Sequence, residues 1–282
     1  MRKIVKALVP EFIKENYRTR RQKTLRKEEF LKYLQPTDVF VVGHPKSGNT
    51  WLAYMLSIVL LGEKCEEVTM SNISKFVPNI HTRDEQIGKI NPPTSPRIYR
   101  NECPVLADYY PKTIYIIRDP RAVLLSYYHH WLHSDVQEHG TLEMFVDEIL
   151  AHGCIRQWES WLIRWDVQVN EWFARAKRQS VKIVRYEDLL DDRERVFREV
   201  VDFAGIDCTN EAFSRAVDRG DFRKMREDEK QHGAESYPGQ NGSKGFFVRK
   251  GQSDSWKEEM SDEVISKIEK AFYSTMKAVG YL

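Results

Sequence analysis

The sequence predicts a three-layer α/β protein, with a central parallel β-sheet flanked by helices. Three short runs carry that expectation: Asp38-Val39-Phe40-Val41-Val42, Thr113-Ile114-Tyr115-Ile116-Ile117 and Val181-Lys182-Ile183-Val184. They are rich in β-branched and aromatic residues, and two of them are apolar almost throughout, as strands buried on both faces are. Each is followed by turn chemistry and then by a segment of helical spacing. Strands alternating with helices favour a parallel sheet covered on both sides.

In chain order, Ile4, Val5, Leu8, Val9, Phe12 and Ile13 space an amphipathic helix over 3–16, interrupted near Pro10. The strand 38–42 ends at Gly43, and Thr50 to Leu61 reads as a buried helix. Arg97 to Arg100 is a shorter strand candidate. The run 113–117 leads through Arg-Asp-Pro-Arg into a helix reaching about His133. Further helices are expected over 141–150, 155–178, 193–204, 210–218 and 261–279. Residues 227–253, rich in Gly, Ser, Asp, Glu and Lys with Pro238, read as a long surface loop, of the kind that often serves as a lid. The expected organisation is one domain over 1–282, with a basic helical arm at 1–35 and a lid at 227–253.

Composition is that of a globular protein: 41% hydrophobic and 30% charged residues, with a formal charge of +2. The charge is uneven, since residues 1–32 carry eleven Lys/Arg against four Glu. A solvated helical face is the ordinary explanation for such an arm. Lys6, Pro10 and Glu11 break any apolar signal core, and the run Trp51 to Leu61 is far shorter than a bilayer span. The cysteines Cys65, Cys103, Cys154 and Cys208 are scattered, with no C-x-x-C pair, so thiols in a reducing compartment are expected. These features lead to the expectation of a cytoplasmic protein without membrane span, metal or nucleic-acid partner.

Residues 43–50 read Gly-His-Pro-Lys-Ser-Gly-Asn-Thr, between a predicted strand and a predicted helix. The two glycines sit on the spacing of the G-x-x-x-x-G-K-[ST] phosphate loop, giving the fold a P-loop-NTPase-like cast. Backbone amides and the positive helix end of such a loop hold phosphate charge. The usual lysine position, however, is Asn49, and the loop's lysine is Lys46. A kinase needs its lysine on the β/γ-phosphates and a hydroxyl on magnesium. A lysine three residues earlier sits instead beside a single 5′-phosphate and its leaving group.

The segment Pro45-Lys46-Ser47-Gly48-Asn49-Thr50-Trp51 resembles the 5′-phosphosulfate loop of cytosolic sulfotransferases, which use 3′-phosphoadenosine 5′-phosphosulfate (PAPS). Three more segments follow in that family's order. They are Tyr115 to Arg121 with Ser126-Tyr127-Tyr128, then Tyr186-Glu187-Asp188, then Phe247-Val248-Arg249-Lys250-Gly251 with Trp256-Lys257. Together they run from about residue 37 to 257. The resemblance implies PAPS as donor, PAP as product and no metal. It implies that Lys46 meets the bridging oxygen, while Ser47, Gly48, Asn49 and Thr50 donate to the 5′-phosphate; a helix N-cap role is the structural alternative for Ser47 or Asn49. It places Arg118, Ser126 and Arg249, with Lys250 and Gly251, at the 3′-phosphate. Trp51, Tyr186 and Phe222 fall at the adenine, although the family's Thr-Ser-Phe is here Gly220-Asp221-Phe222.

The acceptor side departs from the pattern. The family's Lys-Thr-His-Leu-Pro aligns with Arg100-Asn101-Glu102-Cys103-Pro104, so Glu102 stands where the histidine base does, and Arg100 replaces the assisting lysine. A carboxylate can serve as general base, although Arg100 beside it would lower its proton affinity. His129 and His130 are competing bases; His44 reads as a ligand contact or a loop brace. The family's dimer stretch is not matched after Lys257, so the oligomeric state stays open. The expected activity is sulfuryl transfer to a hydroxyl or amine of a small molecule. A nucleotide kinase and a catalytically inactive PAPS-binding protein are the alternatives.

Overall fold

The computed structural model describes residues 25–81, 83–133, 140–155, 163–235 and 246–282. The helix expected over 3–16, most of the basic arm and the middle of the expected lid therefore lie outside the described residues. Four parallel strands form the sheet: β1 (Val39–Val42), β2 (Ile98–Asn101), β3 (Lys112–Ile117) and β4 (Val181–Arg185), in the order β2-β1-β3-β4. Val41 sits opposite Arg100 on one side and Ile114 on the other.

Strand alternation sorts side chains into two separate cores. Val39, Val41, Ile98, Ile114 and Val184 face helix α1 (Asn49–Leu61), with Phe197 and Phe213 beneath it. Phe40, Val42, Tyr99, Tyr115 and Ile117 face the other way, against Trp165, Trp172 and Phe272. That second layer is built by α2 (Pro120–Trp131), α3 (Leu142–His152) and α4 (Trp165–Arg175), together with the last helix, which carries Phe272. α1 is apolar nearly all round because it is buried along its length.

Expected and observed elements agree closely, with two corrections. The helix expected over 155–178 is α4, Trp165–Arg175, and residues 156–162 are outside the described residues. More importantly, the lid expected from residue 227 begins inside a helix. After α5 (Tyr186–Asp191), α6 (Arg193–Ala204) and α7 (Asn210–Arg219), helix α8 spans Phe222–His232. Its highly charged composition masked it. Asp221 caps its start by accepting from the Arg223 amide, and only Met225 and Glu229 are buried on its inner face. The short α9 (Trp256–Glu259) and the long α10 (Asp262–Ala278) complete the chain.

All four strands run in one direction, so their carboxyl ends form one edge of the sheet. β1 leads there into Gly43 and the phosphate loop, β2 into Glu102, β3 into Arg118 and β4 into Tyr186. Parallel α/β sheets bind ligands along this edge.

Candidate active site

A cavity of about 410 Å³ opens along that edge, lined by residues from every strand end together with α1, α2 and the segment 247–252. Its first wall is the phosphate loop. A turn closes it, the Ser47 amide donating to the His44 carbonyl at 3.0 Å, and Asn49 Nδ2 braces it on the Gly43 carbonyl at 3.0 Å. Lys46 and Gly48 have φ of 69° and 112°, so the chain turns back sharply before α1 starts. Gly48 is required there: a Cβ would lie 2.9 Å from both the Ile116 Cδ1 and the Tyr186 ring.

Gly48 is the N-cap of α1 and no side chain caps the helix. Neither Ser47 nor Asn49 therefore plays the capping role. The first amides of α1 face an uncapped, positive helix end, which is an anion site in physical terms. Ser47 Oγ is buried beside it with no hydrogen-bond partner among the described residues, as is Arg118 Nε. Such orphans are costly unless something supplies the missing acceptor. His44, by contrast, is buried behind the loop, its Nδ1 3.2 Å from the Pro45 carbonyl, and burial pushes it down to about 4. It braces the loop as a neutral ring.

Arg118 spreads its guanidinium over the Tyr186 ring at 4.0 Å and donates to the Lys46 and Gln252 carbonyls at 3.1 and 3.2 Å. Trp51 packs edge-on to Tyr186, with centroids 5.3 Å apart, and its Nε1 donates to the Gly220 carbonyl at 2.9 Å. Phe222 and Gly251 also line the cavity, in such close approach that a Cβ on Gly251 would meet the Phe222 ring at 2.2 Å. Arg249 lines it with both bonds of its Nη1 on Glu259, at 2.7 and 3.0 Å, and Lys250 pairs with the same carboxylate at 2.8 Å. Burial acts upward on Glu259, but hydrogen bonds from Lys250, Arg249 and His129 outweigh it and hold the carboxyl at about 2. Ser126 of α2 completes this wall, next to His130, which burial and then the Lys46 charge push down to about 2. The Lys46 ammonium itself rests 3.9 Å from the Phe247 ring centroid.

At the opposite wall Arg100 and Glu102 leave β2 for different partners. The Arg100 guanidinium bonds Glu235, the Ser74 hydroxyl (2.8 Å) and the Val77 carbonyl (3.0 Å), and reaches Thr50 Oγ1 at 3.5 Å. Glu102 pairs with His81, Nδ1 to Oε2 at 3.3 Å. Arg100 and Glu102, close neighbours along the chain, thus pair with different side chains.

Residues 36–280 match the family described as Sulfotransferase domain. The chain belongs to this family. Sulfotransferase 1A1 of Bos taurus is 26% identical over 238 residues, covering 79% of this chain and 77% of that protein. The amine sulfotransferase of Oryctolagus cuniculus is 23% identical over 254 residues, covering 86% and 82%. Among solved structures, retinol dehydratase in complex with androsterone and inactive cofactor PAP aligns at TM-score 0.67 and 18% identity, covering 89% and 86%. Mouse sulfotransferase SULT7A1 complexed with PAP aligns at TM-score 0.62 and 18% identity, covering 86% of each chain. The fold expected from strand–helix alternation is the fold of these proteins.

This sulfotransferase is accordingly an enzyme of the PAPS-dependent class read from the four segments, which leaves the kinase alternative without footing. Every residue that the resemblance put at a PAPS contact lines the cavity except Ser47, which lies buried just behind it. Four residues escaped the sequence reading. His81 and Glu235 belong to segments without a recognisable motif and reach the cavity through long-range pairing. Glu259 was visible only as part of a charged run after Trp256. Glu229 is 2% exposed and binds the backbone amides of Phe247 and Val248; an acidic residue amid Glu, Asp and Lys carries no signal of burial. No helix among the described residues is long and apolar enough to cross a membrane.

Proposed function

We propose that this enzyme transfers the sulfuryl group of PAPS in line to a hydroxyl or amine of a small molecule, with Glu102 taking up the acceptor's proton and Lys46 steadying the leaving group. The observation that carries this reading is one continuous cavity bounded by Lys46 and Thr50 on one side and by Arg100 and Glu102 on the other.

The donor set fits a nucleotide phosphorylated at both ribose ends. Ser47 Oγ and the uncapped start of α1 supply donors for the 5′-phosphosulfate, together with Gly48, Asn49 and Thr50. Arg118, Ser126 and Arg249, with Lys250 and Gly251, would hold the 3′-phosphate, for which a planar guanidinium is suited. Trp51, Tyr186 and Phe222 offer ring faces for adenine. When bound, PAPS contributes a sulfuryl group attached through a bridging oxygen that departs with the phosphate.

This chain's residues then do four things. Glu102 draws the proton from the acceptor as the new bond to sulfur forms. Lys46 places a cation where the bridging oxygen collects the electron pair of the breaking bond, the kind of electrostatic stabilisation that dominates such sites. Arg100 presents fixed positive charge to the transferring sulfate beside Thr50. The walls align acceptor and donor, which supplies much of the rate. Ser74, Asn79, His81 and Glu235 line the acceptor end, and this polar lining favours acceptors with hydrogen-bonding groups. The enzyme reads as a cytoplasmic, single-domain protein, and the four scattered cysteines, with no C-x-x-C pair, support that compartment.

An acceptor screen with PAPS, reading PAP formation, tests the reading. Lys46→Ala should lower kcat about 10²–10³-fold, and Glu102→Gln about 10²–10⁴-fold, with PAP affinity retained in the latter. Full turnover in Glu102→Gln would remove Glu102 from the chemistry. Tight PAPS binding by the wild type with no turnover on any acceptor would favour the inactive, PAPS-binding alternative.

A further inference from the structure

Glu102 has a partner that the backbone itself delivers. Asn79 forms a parallel bridge with Arg100. The Arg100 amide donates to the Pro78 carbonyl at 2.8 Å, and the Ile80 amide to the Arg100 carbonyl at 2.9 Å. Segment 78–80 thus runs beside β2 like a short extra strand. In parallel register, two residues beyond the Asn79–Arg100 bridge lie His81 and Glu102. The chain then turns: His81 has φ of 48°, and its amide donates to Asn79 Oδ1 at 3.0 Å. The turned ring brings Nδ1 to 3.3 Å from Glu102 Oε2. Glu102 is held from the other side through its carbonyl, which accepts from Gln168 Nε2 at 2.6 Å.

We propose that His81 is a positioning residue for sulfuryl transfer, its Nδ1 paired with Oε2 of Glu102 and so directing Oε1 at the acceptor's hydroxyl or amine. This rests on the reading of Glu102 as the base. A carboxylate on a flexible stem has many orientations, and a base must lie within hydrogen-bond reach of the proton that it takes. An ion-pair partner set against one oxygen narrows that freedom before the acceptor arrives. Arg100 pairs elsewhere, its guanidinium directed to Glu235, Ser74 and Val77. His81 and Glu102 both face the cavity, with side chains 48% and 19% exposed, so the pair sits at the acceptor end rather than in the core.

The test uses His81→Ala and His81→Asn, each in the wild type and in Glu102→Gln. An asparagine amide nitrogen occupies nearly the place of Nδ1, and asparagine tolerates positive φ better than other non-glycine residues. His81→Ala should lower kcat about tenfold, the scale of one hydrogen bond to a charged group, with the KM for PAPS unchanged. His81→Asn should restore most of the loss. In Glu102→Gln, His81→Ala should cost almost nothing more. Equal losses from His81→Ala in both backgrounds, or no loss in either, would overturn the proposal, as would His81→Asn behaving like His81→Ala. A fully active Glu102→Gln would instead sink the reading on which it rests. Independently of any variant, nitrogen NMR of the wild-type enzyme near neutral pH should show the proton of His81 on Nδ1; a proton on Nε2 alone contradicts the pairing.

Discussion

Both carboxylate oxygens of Glu229 are occupied by backbone amides of the segment that carries Arg249: Phe247 donates to Oε1 at 2.6 Å and Val248 to Oε2 at 2.9 Å. A side chain 2% exposed on α8 therefore sets the path of the chain just before the residues assigned to the 3′-phosphate. Glu229→Ala would strand two amides and loosen that path. PAP affinity measured by calorimetry should fall several-fold, and chemical denaturation should show a loss of about 1–3 kcal/mol. Wild-type affinity in a folded variant would show that Arg249 needs no such anchor.

The phosphate loop makes a harsher demand. Gly48→Ala forces a Cβ into Ile116 and Tyr186 at a φ of 112°. The strain of a side chain there, about 1–2 kcal/mol, adds to displacement of the Tyr186 ring from the cavity wall. PAP binding should weaken by more than tenfold while the fold, followed by far-UV circular dichroism, stays intact. Binding unchanged by the methyl group would mean that the loop is looser than its contacts indicate.

Glu259 links stability to acid pH. Its folded-state value of about 2 lies below the ordinary 4.5, so its contribution is complete above 4.5 and disappears as pH falls through 2. Glu259→Gln should thus be less stable than the wild type at neutral pH, with the gap in Tm closing over that window. A gap that persists at pH 2 would point to packing rather than charge.

Lys46, Arg118 and Arg249 all line the cavity, and the proposed donor site draws its positive charge from them. Transfer of labelled sulfate should accordingly proceed at an undiminished rate in excess chelator. A rate that collapses and returns with added magnesium would require a different account of the loop.

Much of this protein was legible before any coordinates. The runs at 38–42 and 113–117 became β1 and β3 because a strand buried on both faces has few alternatives to an apolar, β-branched composition, and the run at 181–184 became the edge strand β4. The donor side was legible for a similar reason. A turn with positive φ needs glycine, phosphates suit amides and cationic side chains, and each demand falls within a short local motif. Gly48, Lys46, Arg118 and Arg249 therefore announce themselves. Tertiary structure alone decided the acceptor side and the supports. That Glu102 meets His81 while Arg100 meets Glu235 follows from the parallel bridge between Asn79 and Arg100 and from the position of α8, neither of which leaves a local pattern. Glu229 and Glu259 look like surface charges in sequence, because a carboxylate buried against amides or guanidinium groups has the same letter as one in water.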